Sequence, residues 1–149
     1  MRKILQLGFK IAARGRRLYW FVFRPDTFGV KTVVRHEGRW LMIRNSYGRG
    51  LWTFPGGGVR GGERPADAAM REVREEVGIE LGGVEPVGIY TTDREYKHDT
   101  VYCFVADVMH PDHRIDNKEV IEAAWFDANV LPERCGASVA EVRRLLAQP

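Results

Sequence analysis

The run Arg71-Glu72-Val73-Arg74-Glu75-Glu76 places three carboxylates at i, i+3 and i+4. On an α-helix, at about 100° per residue, Glu75 lies about 60° to one side of Glu72 and Glu76 about 40° to the other, so all three share a face. Ala69, Val73 and Val77 form an apolar stripe on the adjoining face. Such a stripe can anchor the helix to a sheet while the acids project beside it into a cleft. Like charges at this spacing repel, more strongly where a cleft weakens screening. A divalent cation resolves that repulsion: hard Mg²⁺ or Mn²⁺ takes oxygen ligands from carboxylates, water and substrate phosphates. Arg71, four residues before Glu75, can hold a carboxylate in position. The same residues also read as a solvated acidic face with Arg71 and Arg74 as surface partners. The glycine loop just upstream favours the cleft. Pro55 to Gly62 contains Gly56, Gly57, Gly58, Gly61 and Gly62, a backbone able to approach a metal–phosphate complex closely.

The elements that must position these groups are legible in outline. Lys31–Arg35 is rich in β-branched residues, Glu37-Gly38-Arg39 reads as a turn and Trp40–Arg44 resumes a strand, predicting a hairpin. Asn45–Gly50 reads as a loop. Pro65 suits a first helical turn and Gly78 a stop signal, which predicts a helix ending near Val77. Arg64 stands where a capping Ser or Thr is commoner, at a cost of about 1 kcal/mol. Val101–Val108 suits a central strand, Ala124–Phe126 a further short one, and Ser138–Ala147 a closing helix with Val139, Val142, Leu145 and Leu146 on one side. The pattern is one mixed α/β domain.

Gly57, five residues, Glu63, seven residues, Arg71-Glu72-Val73, one residue, Glu75-Glu76, one residue and Gly78-Ile79 resemble the Nudix box with every defined position filled. Trp52–Val59 looks like the family's entry into the box, and Glu119 through Trp125-Phe126 like its late Glu…Trp-Phe segment; the similarity covers about residues 28–146. The resemblance implies an α/β/α sandwich with a mixed sheet, and hydrolysis of a nucleoside diphosphate linked to another moiety. It also implies metal ligands at Glu72, Glu75, Glu76 and the Gly57 carbonyl, with Mg²⁺, or alternatively Mn²⁺, as cofactor. By the same resemblance Glu63 supports the metal shell or the loop, Arg71 orients a catalytic glutamate, and Glu119 is a further ligand or the general base. Glu119 also reads as an exposed loop acid, and the choice of Glu72 or Glu119 as base stays open.

Substrate contacts are written less clearly. Arg44 and Arg49 can reach phosphates or remain surface cations. Trp52 and Phe54 can stack on a base or belong to the core. After the box, Glu95 stands where many ADP-ribose hydrolases of the family have proline, and Tyr96 where many dinucleoside polyphosphate hydrolases have tyrosine. His98 reads as a substrate contact or an exposed histidine.

Composition bounds the rest. The 149 residues, 44% hydrophobic and 29% charged, suit one globular domain and exclude a disordered tail or disulfide mini-protein. Cys103 and Cys135 are far apart and in no CxxC pattern, which suggests reduced thiols and a cytoplasmic setting. Residues 1–25 carry seven basic residues and no acid, whereas the remainder is acidic on balance. Residues 1–27 therefore read as a basic, loosely helical leader to a domain at 28–149. Nucleic-acid or membrane-surface contact is one role for it, and secretion is not. Many family members form homodimers. Three alternative functions remain: a non-catalytic nucleotide-binding module, isomerisation of a prenyl diphosphate on the same fold, and recruitment through the leader.

Overall fold

The computed structural model describes residues 26–93, 98–115 and 118–148. Strands β1 (Asp26–His36) and β2 (Arg39–Asn45) form the expected hairpin, with His36 opposite Arg39. Glu37 and Gly38 both have positive φ, 46° and 74°, the handedness that a two-residue hairpin turn needs. Strands β3 (Trp52–Thr53), β4 (Glu85–Thr92), β5 (His98–Asp107) and β6 (Val120–Asp127) complete a mixed sheet. β1 runs parallel to β5, from Asp26 opposite His98 to Arg35 opposite Asp107, and every other named strand pairing is antiparallel.

The hairpin strands splay apart, and this positions the site. β6 pairs with β2 from Arg39 to Asn45 and so takes one edge of it; β1 and β3 must share the other. The loop that follows β3 is inserted in the fork. Thr32 N donates to Pro55 O and Val30 N to Gly57 O, while Val59 N donates to Phe28 O, each at 2.9 Å. A glycine-rich segment without intrinsic strand propensity is thus held as if it were a strand.

Helices α1 (Pro65–Val77) and α2 (Ala137–Leu146) cover opposite faces. Alternation along β1 divides the core: Val30 and Val34 pack beneath α1 with Ala68, Ala69, Val73 and Val77, whereas Val33 packs with Val139, Val142 and Leu145 of α2. The layers are α, β, α, as the family resemblance implies. α1 starts at Pro65 with no side-chain cap; Arg64 instead pairs with Asp67 at 2.7 Å. It ends where Gly78, at φ 67°, donates its N–H to Arg74 O at 3.0 Å.

Three elements differ from the sequence reading. β6 extends four residues before Ala124, because its pairing with β2 continues past the apolar Ala-Ala-Trp-Phe core. β4 carries no clean strand signal, since Pro86 and Gly88 interrupt it, and the ladder shifts register between them. β1 begins at Asp26, so Asp26 and Thr27, read as leader, belong to the sheet. The helix expected before them lies outside the described residues, as does Tyr96. Both cysteines are free thiols. Among the described residues no helix is long and apolar enough to cross a membrane.

Candidate active site

The glycine loop is packed closely against β1 at Gly56 and against the acidic face of α1 at Gly57. A Cβ on Gly56, whose φ is 153°, would lie 2.0 Å from Val30 O, so nothing larger allows the loop to enter the fork. A Cβ on Gly57 would lie 2.6 Å from the Glu72 carboxyl carbon. The Glu72 carboxylate therefore rests directly on the Gly57 backbone.

The three helix acids share a side of α1, as their spacing predicts, but their surroundings differ. Glu76 is 5% exposed and accepts a hydrogen bond from Gly56 N at 2.9 Å. Burial raises its pKa, and the opposing pull of Lys31 and the Gly56 N–H is weaker. Glu75 is exposed and is reached by Arg71 Nη1 at 3.3 Å and Arg60 Nη2 at 3.5 Å. Glu72 accepts from Arg71 Nη1 at 2.6 Å.

Arg71 is the hub. Its Nε and Nη2 donate to the two oxygens of Glu63 at 2.7 and 2.9 Å, and Nη2 also donates to Gly58 O at 2.9 Å. One planar guanidinium thus fixes the loop, Glu63 and Glu72 together, a task for which the point charge of Lys is poorly suited. The side-chain hydrogen bonds from Arg71, helped by Arg60 N at 2.9 Å, hold the Glu63 carboxyl down at about 2. The same pairing raises the pKa of Arg71 itself. Glu119 enters the site just before β6, and its backbone carbonyl accepts from Ser46 N at 2.7 Å. It lines both a cleft of about 590 Å³, together with Thr27, Lys31, Gly57, Glu72 and Asp99, and a recess of about 280 Å³ against Glu72, Glu75 and Glu76.

Lys31 lines the cleft and is absent from the sequence reading of the site. A lone lysine in a strand has no motif; only its place opposite the loop gives it meaning. Its Nζ donates to Phe54 O at 2.9 Å. Desolvation lowers its pKa against the attraction of Glu76 and Glu72.

The donor set suits a hard divalent cation, being carboxylates and a backbone carbonyl without sulfur or imidazole. Among the described residues no three His, Cys, Asp or Glu side chains converge as a ready-made metal site. Arg71 and the Gly56 N–H hold Glu72 and Glu76 in different directions. The cradle fits the group nonetheless, since the Glu72 carboxylate lies against Gly57 and Glu76 sits beneath the same loop. Glu72, Glu75, Glu76, Glu119 and the Gly57 carbonyl are the residues that would hold it.

The family model of the NUDIX domain matches residues 23–146. This chain belongs to the Nudix family. It is 30% identical over 103 residues to a nucleoside triphosphate pyrophosphatase/Nudix hydrolase fusion protein of Bifidobacterium longum, covering 68% of this chain and 20% of that one. It is 28% identical over 127 residues to an ADP-ribose pyrophosphatase of Methanocaldococcus jannaschii, covering 83% and 74%. Several curated relatives are longer proteins, of which the chain spans between 20% and 40%. The fold is that of a MutT Nudix hydrolase from Burkholderia pseudomallei, with TM-score 0.74 and 21% identity over 82% of this chain and 98% of that one.

In this Nudix domain the box residues come together, whereas Arg44, Arg49, Trp52 and Phe54 do not line the two cavities beside them, and Tyr96 lies outside the described residues. Phe54 is fully buried in the α2-side core, at 5.8 Å ring-centroid distance from Trp40. Trp52 packs edge-on against Phe126 at 4.8 Å. Arg44 pairs with Glu122 across β2–β6 at 2.9 Å and lies over the Trp52 ring at 5.6 Å. Arg49 is exposed, and its carbonyl accepts from Arg134. None of the four lines the cleft. His98 is exposed and pairs with Asp93 at 2.5 Å.

Proposed function

We propose that this Nudix domain hydrolyses a phosphoanhydride bond in a nucleoside diphosphate linked to another moiety, with Mg²⁺ or Mn²⁺ as cofactor. The observation that carries the reading is the packing of Glu72 on Gly57 beside a buried Glu76, with Glu72, Glu63 and the loop tied to one arginine. Similarity to an ADP-ribose pyrophosphatase over most of both chains supports it.

A divalent cation held there supplies neutralisation of the diphosphate and a water of lowered pKa. The chain's own residues do the positioning. Gly56 and Gly57 let the loop backbone approach the phosphates, and Arg71 fixes the Glu72 carboxylate so that little reorganisation accompanies the reaction. Glu72 or Glu119 accepts the proton of the attacking water.

The test is a turnover screen of nucleotide sugars, dinucleotides, dinucleoside polyphosphates, nucleoside triphosphates and capped RNA, with Mg²⁺ or Mn²⁺, in H₂¹⁸O. One ¹⁸O in a phosphate product is expected. Nucleotide binding without turnover would identify a binding module instead. Glu72→Gln and Glu119→Gln then separate the two candidate bases, since removal of the true one abolishes the lower limb of the pH–rate profile.

A further inference from the structure

The wall of the larger cleft carries four carboxylates, Asp26, Glu72, Asp99 and Glu119, and among the described residues a single basic side chain, Lys31. An anionic substrate entering that cleft therefore meets one ammonium. The fold fixes its position closely. On either side of Lys31 the backbone of β1 is tied to the loop, at Val30 N to Gly57 O and Thr32 N to Pro55 O, and Lys31 Nζ makes a third tie to Phe54 O. One of its three N–H donors is used in that bond. Thr27 marks the far end of the cleft, four residues away along β1, or about 13 Å at the rise of a strand. A nucleoside lying along β1 with its phosphates at Lys31 uses that length.

We infer that Lys31 is a substrate-binding residue that contacts the diphosphate on its nucleoside side and fixes the direction in which substrate lies in the cleft. This rests on the hydrolase reading above. A strongly hydrated ammonium already held by a carbonyl loses little freedom on meeting a phosphate, so the contact gains affinity more than rate.

The experiment compares wild type, Lys31→Met and Lys31→Arg. The readouts are calorimetric binding of ADP with Mg²⁺, KM and kcat on the best substrate of the screen, and the melting temperature. Lys31→Met keeps the aliphatic stem and removes the charge. Its ADP affinity should fall about 10- to 100-fold and its KM rise by a similar factor, with kcat within about 5-fold. Lys31→Arg should recover at least half of the logarithmic loss. Unchanged ADP affinity and KM in a folded Lys31→Met protein overturns the inference while leaving the hydrolase reading intact. So does a loss that Lys31→Arg does not recover and that tracks a lowered melting temperature, because it assigns Lys31 to loop packing. A wild type that turns over no member of the screen overturns the hydrolase reading and this inference together.

Discussion

Gly57→Ala isolates the contact on which the site is built. Gly57 has no positive φ, so alanine is compatible with its backbone and the whole effect is steric. The new methyl would stand 2.6–2.7 Å from the carboxyl carbon and both oxygens of Glu72. Ordinary contact for such atoms is about 3.5 Å, so the carboxylate must retreat by about 1 Å. A displacement of that size in a positioned group costs about 100-fold in rate. Stability should fall by only about 1–3 kcal/mol, or about 3–10 °C in Tm, because a side chain rather than backbone gives way. Gly61→Ala is the control, in the same loop at a position where an added methyl would meet nothing within 4 Å. The assay is kcat/KM on the best substrate, with melting curves for all three proteins. Were Gly57→Ala as active as Gly61→Ala, the placement of Glu72 against the loop would have no catalytic meaning.

Arg71→Lys should lower stability by about 1–3 kcal/mol in urea unfolding, because an ammonium cannot keep the forked hydrogen bonds to Glu63, Glu72 and Gly58 O. Burial raises the Glu76 pKa, so its ionisation costs folded-state stability as pH rises above the ordinary carboxylate range. In EDTA at pH 8, Glu76→Gln should therefore melt at or above the wild-type temperature, while its kcat with Mg²⁺ falls by at least about 10³-fold. The Glu63 pKa is depressed to about 2, so its pairing stabilises the fold above the unfolded value near 4.5 and is lost as pH falls through about 2. Between pH 4.5 and 2, the urea midpoint of Glu63→Gln should vary less with pH than that of wild type.

How much was legible in the sequence depends on whether a signal was local. The α1 boundaries follow from Pro65 and Gly78, and the hairpin from Glu37-Gly38, because each is decided by backbone preferences within a few residues. The sharing of a face by Glu72, Glu75 and Glu76 is likewise helix geometry. What spacing cannot give is which of them the rest of the fold covers: Glu76 is buried because the loop lies over it, a consequence of the splayed β1–β2 fork. Phe54 and Lys31 show the same limit in opposite senses. An aromatic beside the loop reads equally as a stacking or a core residue and proves to fill the core beneath α2, while a lysine in a β-branched run carries no signal of its own yet stands on the cleft wall. Both depend on the 23-residue separation between β1 and the loop, across which the Lys31–Phe54 bond forms.

Diffraction from crystals soaked in Mn²⁺, with data collected for anomalous scattering, bears most directly on the central claim that α1 and the glycine loop form a cation-binding cradle. An anomalous peak within about 2.0–2.4 Å of carboxylate oxygens from at least two of Glu72, Glu75 and Glu76, beside the Gly57 carbonyl, is the expected result. Density with those side chains still held by Arg71 and Gly56, and manganese bound elsewhere or nowhere, would contradict it.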